Sequence, residues 1–369
     1  MEWGKEFLFW GDHAVLLGVW VALALSLNLI NGCTGLFSLG HQGFWAVGAY
    51  TVALLLPQHA PGAEGAAPGL GAFLLSFPAA VLVAALFGLL VGLPCLRMRG
   101  DYLAIATLGF AEIFRHLAND SPWLGGSRGL KVHNVVRSLA VELQGFPPAA
   151  STSGMPEAQA QALRNALDRA GYAEMAFYLV LSWGAVALIW CLLLRLMRSG
   201  HGRAIRAIRD DEAVAELMGV NLTRYKVLVF VLGAGLAGLA GAIYAHTRRY
   251  PTPDQFNFMQ GVTIVAMVVL GGMGSFSGTV LAAAVIYLLP VLLSFAPEAW
   301  RIPVFYDPTQ GGLVERSPKD LWQVFFALVL ITVILVRPQG LLGRRELSPG
   351  ALWRRLRRGS FRAAAGGAP

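Results

Sequence analysis

Nine separated apolar stretches constrain this chain more than any motif does. With loose boundaries they are residues 14–31, 39–56, 71–93, 102–118, 174–195, 225–246, 259–271, 277–294 and 320–336. A helix needs about 20 apolar residues to cross a bilayer. In lipid the backbone finds no partner outside itself, so only helices and closed barrels span. Barrel strands alternate polar and apolar residues, and these stretches do not. An all-α transmembrane bundle of about nine to ten spans follows. Composition agrees, because 14% of the 369 residues are charged, against roughly 25% in a soluble domain. Segments 39–56 and 259–271 are short or glycine-broken and read as partial helices, which leaves the count open by one.

Loop charge sets the expected orientation. Arg97 and Arg99 follow the third stretch, and Arg195, Arg198, Arg203, Arg206, Arg209, Arg224 and Lys226 lie between the fifth and sixth. Placing these inside puts the C-terminus in the cytoplasm and the N-terminus outside. Arg248 and Arg249 then fall outside, one exception to the rule. The tail, 344–369, carries Arg344, Arg345, Arg354, Arg355, Arg357, Arg358 and Arg362 against Glu346. Beside a span it reads as an anchor at anionic headgroups, and no nucleic-acid motif accompanies it. The start, Met1 to Asp12, lacks a basic leader region and reads as part of an uncleaved first span. Cys33, Cys95 and Cys191 stand apart in or beside apolar stretches, where a buried small hydrophobe is the default role.

Two outer loops are long. Residues 119–173 hold a Gly/Ser turn, a Pro-Pro pair and a stretch from Glu157 to Arg169 that reads as a small amphipathic helix; residues 295–319 hold four prolines. Either loop serves as a docking surface or as a connector. Residues 35–56 and 271–289 both run from a glycine-rich turn into an apolar helix, a weak internal echo of the interrupted helices common in transporters.

The inner loop is the most informative piece. Gly200 and Gly202 break the preceding span, and Ala204 to Met218 sets Ile205, Ile208, Ala215 and Leu217 among charges. Gly219, Val220 and Asn221 supply a stop. One short amphipathic helix lying along the cytoplasmic membrane surface is expected, either resting on lipid or docking a motor domain. Within the spans, Glu112 and Arg115 are three apart on one helix face and read as a structural pair near the outer interface. Asn28, Asn31, His41 and Gln42 cluster around the first tight turn, and Gly271, Gly272 and Gly274 permit close helix approach or a hinge. With Thr107 they are the candidate pathway or gating residues. No catalytic group and no metal cluster is expected.

The loop Gly202 to Asn221 resembles the G-R-A-x-x-A-I-R-D-x-E-x-A-A-x-x-x-G-x-N segment of branched-chain amino acid ABC transporter permeases of the M-type (LivM-like). Ser38-Leu39-Gly40-His41 with Gly43-Phe44 and Val47-Gly48-Ala49-Tyr50 is similar to a second family block. Further matches are residues 96–112, Gly125-Gly126 with Gly129-Leu130, residues 269–275, and Arg337 to Leu341. The resemblance covers roughly residues 25 to 343 and implies one permease domain, 1–343. Within it fall a periplasmic loop at 119–173, a cytoplasmic coupling loop at 202–221 and a periplasmic loop at 295–319. It also implies the bacterial inner membrane, a second homologous permease subunit, two cytoplasmic ATPases that bind ATP and Mg, and a periplasmic substrate-binding protein. Coupling would fall to Arg206, Asp211, Glu212, Ala213, Gly219 and Asn221. In the wider importer pattern, E-A-A-x-x-x-G, glycine comes one place earlier than Gly219, and no I-x-L-P follows.

Three functions compete. An ATP-driven importer permease would carry a branched-chain amino acid, or a small polar solute such as urea, with no cofactor of its own; the sequence holds no G-x-x-x-x-G-K-[S/T] phosphate loop. An ion- or proton-coupled carrier calls for acidic residues at mid-membrane depth, and the spans offer almost none. A membrane enzyme calls for a catalytic constellation, and none is visible.

Overall fold

The structure is a computed structural model. It describes residues 2–57, 69–95, 101–145, 156–295, 302–307 and 312–316, with isolated positions 324, 327, 328, 331, 332, 335, 340 and 341. The tail 344–369, the arginines at 97 and 99, and most of the 320–336 stretch lie outside the described residues.

Helices dominate. The first, α1 (Glu2–Leu27), continues into a wide π turn, Asn28–Cys33. Then come α2 (His41–Leu55), α3 (Leu70–Cys95), α4 (Asp101–Asp120), the short α5 (Val135–Glu142) and α6 (Glu157–Arg198). Two surface helices follow, α7 (Gly200–Asp210) and α8 (Glu212–Leu217). The described helices close with α9 (Leu222–Arg248), α10 (Phe258–Gly271) and α11 (Phe276–Leu293). Among the described residues, five helical segments are long and apolar enough to cross a membrane by themselves. At 15 and 14 residues, α2 and α10 reach only about 21–23 Å at 1.5 Å per residue, short of a hydrocarbon core of about 30 Å.

Two expectations need correction, and one outer loop carries structure that the sequence reading left open. Glu157 to Arg169 is the first part of the 42-residue α6, not a separate helix; nothing between Arg169 and Glu174 stops propagation, since Gly171 alone only weakens a helix. Residues 302–316 include an antiparallel hairpin, β1 (Ile302–Asp307) with β2 (Gly312–Arg316), pairing Ile302 with Arg316. Of the cysteines, Cys33 is buried but Cys191 is exposed on α6, because its helix turns that face away from the bundle.

At the centre, α9 lies against α2 and α3, while α1 packs on α6, α9 and α11. Phe44, Trp45, Tyr50, Phe230 and Phe256 fill the core. The outer faces of α3 and α6 expose Leu74, Leu75, Leu82, Leu86, Leu90, Val180 and Leu188. Apolar residues outside and tight packing inside suit a helix bundle whose solvent is lipid.

Contacts fix two faces. On one, Gly35 lies against Arg209 of α7, Arg209 bonds the Met273 carbonyl, and Leu341 N donates to the Leu270 carbonyl. On the other, His133 N donates to the Leu56 carbonyl and Val132 N to the Arg249 carbonyl. Successive described spans run alternately between these faces. The opposite face holds Arg248 and Arg249, the expected exception to the charge rule. Each has an acid: Arg248 lies 3.4 Å from Asp12, and Arg249 pairs with Glu174. Burial beside this loop pushes the His133 imidazole below its ordinary pKa.

Backbones approach closely between α2 and α9. A β-carbon on Gly241 would collide with the Trp45 carbonyl oxygen and crowd the Ala49 amide. Only glycine allows this backbone contact. Gly241→Val should therefore push the helices apart and destabilise by about 1–3 kcal/mol, read as a lower unfolding midpoint of the detergent-purified protein.

Candidate functional site

Two broken helices meet at the end of α1. Asn28, fully buried, uses its whole carboxamide: Oδ1 accepts from Gly274 N at 2.8 Å, while Nδ2 donates to the Ser275 carbonyl at 3.1 Å and Thr279 Oγ1 at 2.9 Å. The π turn is thereby tied to the turn between α10 and α11. Asn31 does the same locally, bonding Ser38 N through Oδ1 and the Ser38 carbonyl through Nδ2. Chain then rises to α2. Thr107 Oγ1 accepts from Leu39 N at 3.1 Å and donates to the Ala104 carbonyl at 3.0 Å. His41 Nε2 lies 2.7 Å from Ser26 Oγ. Gly271 meets the backbone of Gly278 and Thr279, where α10 and α11 cross, and Gly272 lies against Gly340.

Of the eight candidate pathway residues, therefore, Asn28 and Gly274 touch directly, while Asn31, Thr107 and His41 stitch the segment 26–41. Gln42 stands apart. It faces Gly261 of α10, and neither amide atom has a partner among the described residues.

A surface platform sits below this knot. Ser199 ends α6 in extended backbone and caps α7, its Oγ accepting from Gly202 N at 3.3 Å. The break expected at Gly200 and Gly202 therefore falls one residue earlier, with both glycines inside α7. Gly202, Ile205 and Ile208 are buried against the bundle. A single helix from Ala204 to Met218 is not what forms. Asp211 adopts φ −159° and ψ 116°, and its Oδ1 accepts from Ala213 N at 2.8 Å and Val214 N at 3.1 Å. An aspartate that caps a new helix ends the old one. The break also changes the helix phase, so Ala215 is buried while Val214, Leu217 and Met218 are 54%, 86% and 81% exposed. Leu217, expected among the inward apolar residues, projects outward.

The six candidate coupling residues have distinct places. Arg206 Nη2 donates to the Met197 carbonyl at 3.1 Å. Glu212 pairs with Lys226 of α9 at 2.6 Å. Gly219, at φ +83°, ends α8, and Val220 N donates back to the Ala215 carbonyl at 3.0 Å. Asn221 caps α9 through Arg224 N at 2.9 Å. Ala213 is exposed. Asp211, Gly219 and Asn221 shape the platform; Ala213 with Val214, Leu217 and Met218 forms its free apolar surface.

Arg209 was legible only as one more loop cation. Its Nη2 donates to the Met273 carbonyl at 3.3 Å, and its stem lies against Gly35. A β-carbon at Gly274, whose φ is +85°, would strike the guanidinium. One α7 side chain thus touches both broken-helix turns. Glu112 and Arg115 pair at 2.7 Å, with Asp254 3.8 Å from the same guanidinium. No group of three or more His, Cys, Asp or Glu that could hold a metal exists among the described residues.

A polytopic bundle whose buried polar groups gather at interrupted helices has the build of a membrane permease. A family model described as "Branched-chain amino acid transport system / permease component" matches residues 11–334, and the chain belongs to that family. It is 35% identical over 339 residues to the high-affinity branched-chain amino acid transport system permease protein LivM of Salmonella typhimurium, covering 90% of this chain and 69% of the relative. For the Escherichia coli protein of the same name the identity is 36% with the same coverage. The permease protein LivH of Escherichia coli is 34% identical over 149 residues, 40% of this chain and 42% of that one. No solved structure matches.

Asn28→Leu keeps the volume but orphans Gly274 N, while the Thr279 hydroxyl keeps its bond to the Ser275 carbonyl. At about 1–3 kcal/mol for each buried group left unpaired, the variant should melt well below wild type and show faster amide exchange at 272–276.

Proposed function

We propose that this chain is the membrane-spanning permease subunit of an ATP-driven importer that carries branched-chain amino acids, or a related small polar solute such as urea, across the bacterial inner membrane. The observation that carries this reading is the α7–α8 platform. It presents Ala213, Val214, Leu217 and Met218 outward, while Arg209 joins its inner side to the turns after α1 and α10. Exposed large apolar residues on a rigid, capped surface helix are what a docking partner buries. A cytoplasmic ATPase pressing there would load Arg209, and through it the Gly274 turn and Asn28, so that helices interrupted at this level tilt together.

The wider arrangement belongs to the same reading. Two ATPases bind ATP and Mg, a second homologous permease subunit completes the path, and a periplasmic binding protein delivers the solute. Relatives named LivM and LivH support two permease types within one transport system. The α7 face is then cytoplasmic with the C-terminus. Arg195, Arg198, Arg203, Arg206 and Arg224 on or beside that face agree with the positive-inside rule. The loops 119–173 and 295–319 face the periplasm, the permease domain is 1–343, and 344–369 is a basic cytoplasmic tail.

Proteoliposomes holding the chain, the second permease and the ATPases, supplied with leucine-loaded binding protein, test this reading. Leucine uptake should require ATP and every subunit; gradient-driven uptake by the chain alone overturns the proposal. Ala213→Asp should insert normally yet cut uptake at least tenfold by spoiling docking. Arg209→Ala should leave stimulated ATP hydrolysis within about twofold and lower uptake about tenfold, so that more ATP is consumed per leucine.

A further inference from the structure

The first two turns of α2 carry buried polar atoms with nothing to bind. Gln42 is fully buried, and its Oε1 and Nε2 are both without a partner; the indole Nε1 of Trp45, one turn on, is likewise unpartnered at 2% exposure. His41 adds a third group. The Ser26 hydroxyl already donates to the Leu23 carbonyl at 2.8 Å, so in its 2.7 Å contact with His41 Nε2 the imidazole is the donor. That leaves His41 Nδ1 a bare acceptor, and it too has no partner. Buried polar groups are ordinarily paired, and three neighbours that are not call for a reason.

These atoms sit inside the bundle, not at its rim. Gly40 abuts the backbone of Thr107, the seventh residue of α4 counted from the α7 face, roughly 9 Å along that helix. Gln42 meets Gly261, the fourth residue of α10 counted from the other face. The start of α2 therefore lies at intermediate depth. It has no side-chain cap, so no capping side chain offsets the positive partial charge of its first turn. Around it stand aromatic walls: Trp45 and Phe256 at 4.7 Å, Trp45 and Trp20 at 5.6 Å, Phe44 and Phe110 at 5.2 Å.

We infer that the first two turns of α2, facing α10 at Gly261, are a contact site for the solute in transit, and that it takes a small zwitterionic amino acid with an aliphatic side chain. Gln42 Nε2 and Trp45 Nε1 donate to the carboxylate, which the helix start also favours. His41 Nδ1 and Gln42 Oε1 accept from the ammonium group, and the aromatic rings border the apolar side chain. Contacts are few and neutral, so the solute is passed on and not trapped. Gly261 matters for the same reason, since any side chain there would occupy the space the Gln42 amide uses. This assignment rests on the importer reading above and adds to it the residues that meet the solute.

Gln42→Met separates a solute contact from a structural role. Methionine matches the volume and removes a buried unpaired amide, so the purified complex should keep or raise its unfolding midpoint. In the same proteoliposomes, radiolabelled L-leucine uptake should fall at least tenfold while hydrolysis stimulated by loaded binding protein stays within about twofold. Trp45→Phe keeps the ring contacts and deletes only a donor; uptake should fall about threefold or more. Uptake of either variant at the wild-type rate overturns the site, as does a Gln42→Met midpoint that drops together with its uptake. ATP-dependent uptake by the wild-type complex reports separately on the importer reading, so loss of one is not mistaken for loss of the other.

Discussion

A single carboxamide, that of Asn28, holds together the part of the molecule where two helices are interrupted. Lipid offers broken helices no partners, so every amide and carbonyl freed by a break must be met from inside the protein. Asn28 meets Gly274 N, the Ser275 carbonyl and the Thr279 hydroxyl at once. Because of it the π turn of α1 and the turn before α11 form one unit. Asn31 and Thr107 extend that unit to the rise into α2. The buried polar residues of this bundle are thus mostly backbone surrogates, and Gln42 is conspicuous because it is not one.

Charge is arranged by a similar logic of cover. On the face opposite α7, Arg248 and Arg249 each lie beside an acid, and Arg115 sits between Glu112 and Asp254. Pairing removes most of the field these cations would otherwise present. On the α7 face Lys226 is taken by Glu212, while the exposed Arg203 and Arg206 remain beside the bundle surface.

The platform and the knot above it are joined by one side chain. Arg209 reaches the Met273 carbonyl and lies along Gly35, so α7 cannot shift without disturbing both turns. Its length makes this possible: the guanidinium spans from a surface helix to backbone that only glycine leaves open. A rigid link from a surface helix to the helix breaks suits a protein whose movement originates outside its own bundle.

Much of this was legible in the residues. Hydropathy marked the helices, because a crossing segment must be apolar along its length whatever packs beside it. The short α2 and α10, the αL stop at Gly219 and the Glu112–Arg115 spacing were visible for equally local reasons. Other features needed the fold. The split at Asp211 depends on a cap competing with helix continuation, and the two outcomes differ by only about 1 kcal/mol. The run of α6 through Gly171 turns on a similarly small balance. Which cations are paired, which cysteine is buried, and that Arg209 rather than Arg206 touches the glycine turn are facts of distance between residues far apart in sequence. By itself the sequence determined a helical membrane bundle, since solvent and periodicity act residue by residue, and its motifs carried the resemblance to a permease family. Only the tertiary structure decided which buried amides are satisfied, because a hydrogen bond needs both partners, and those lie up to 251 positions apart.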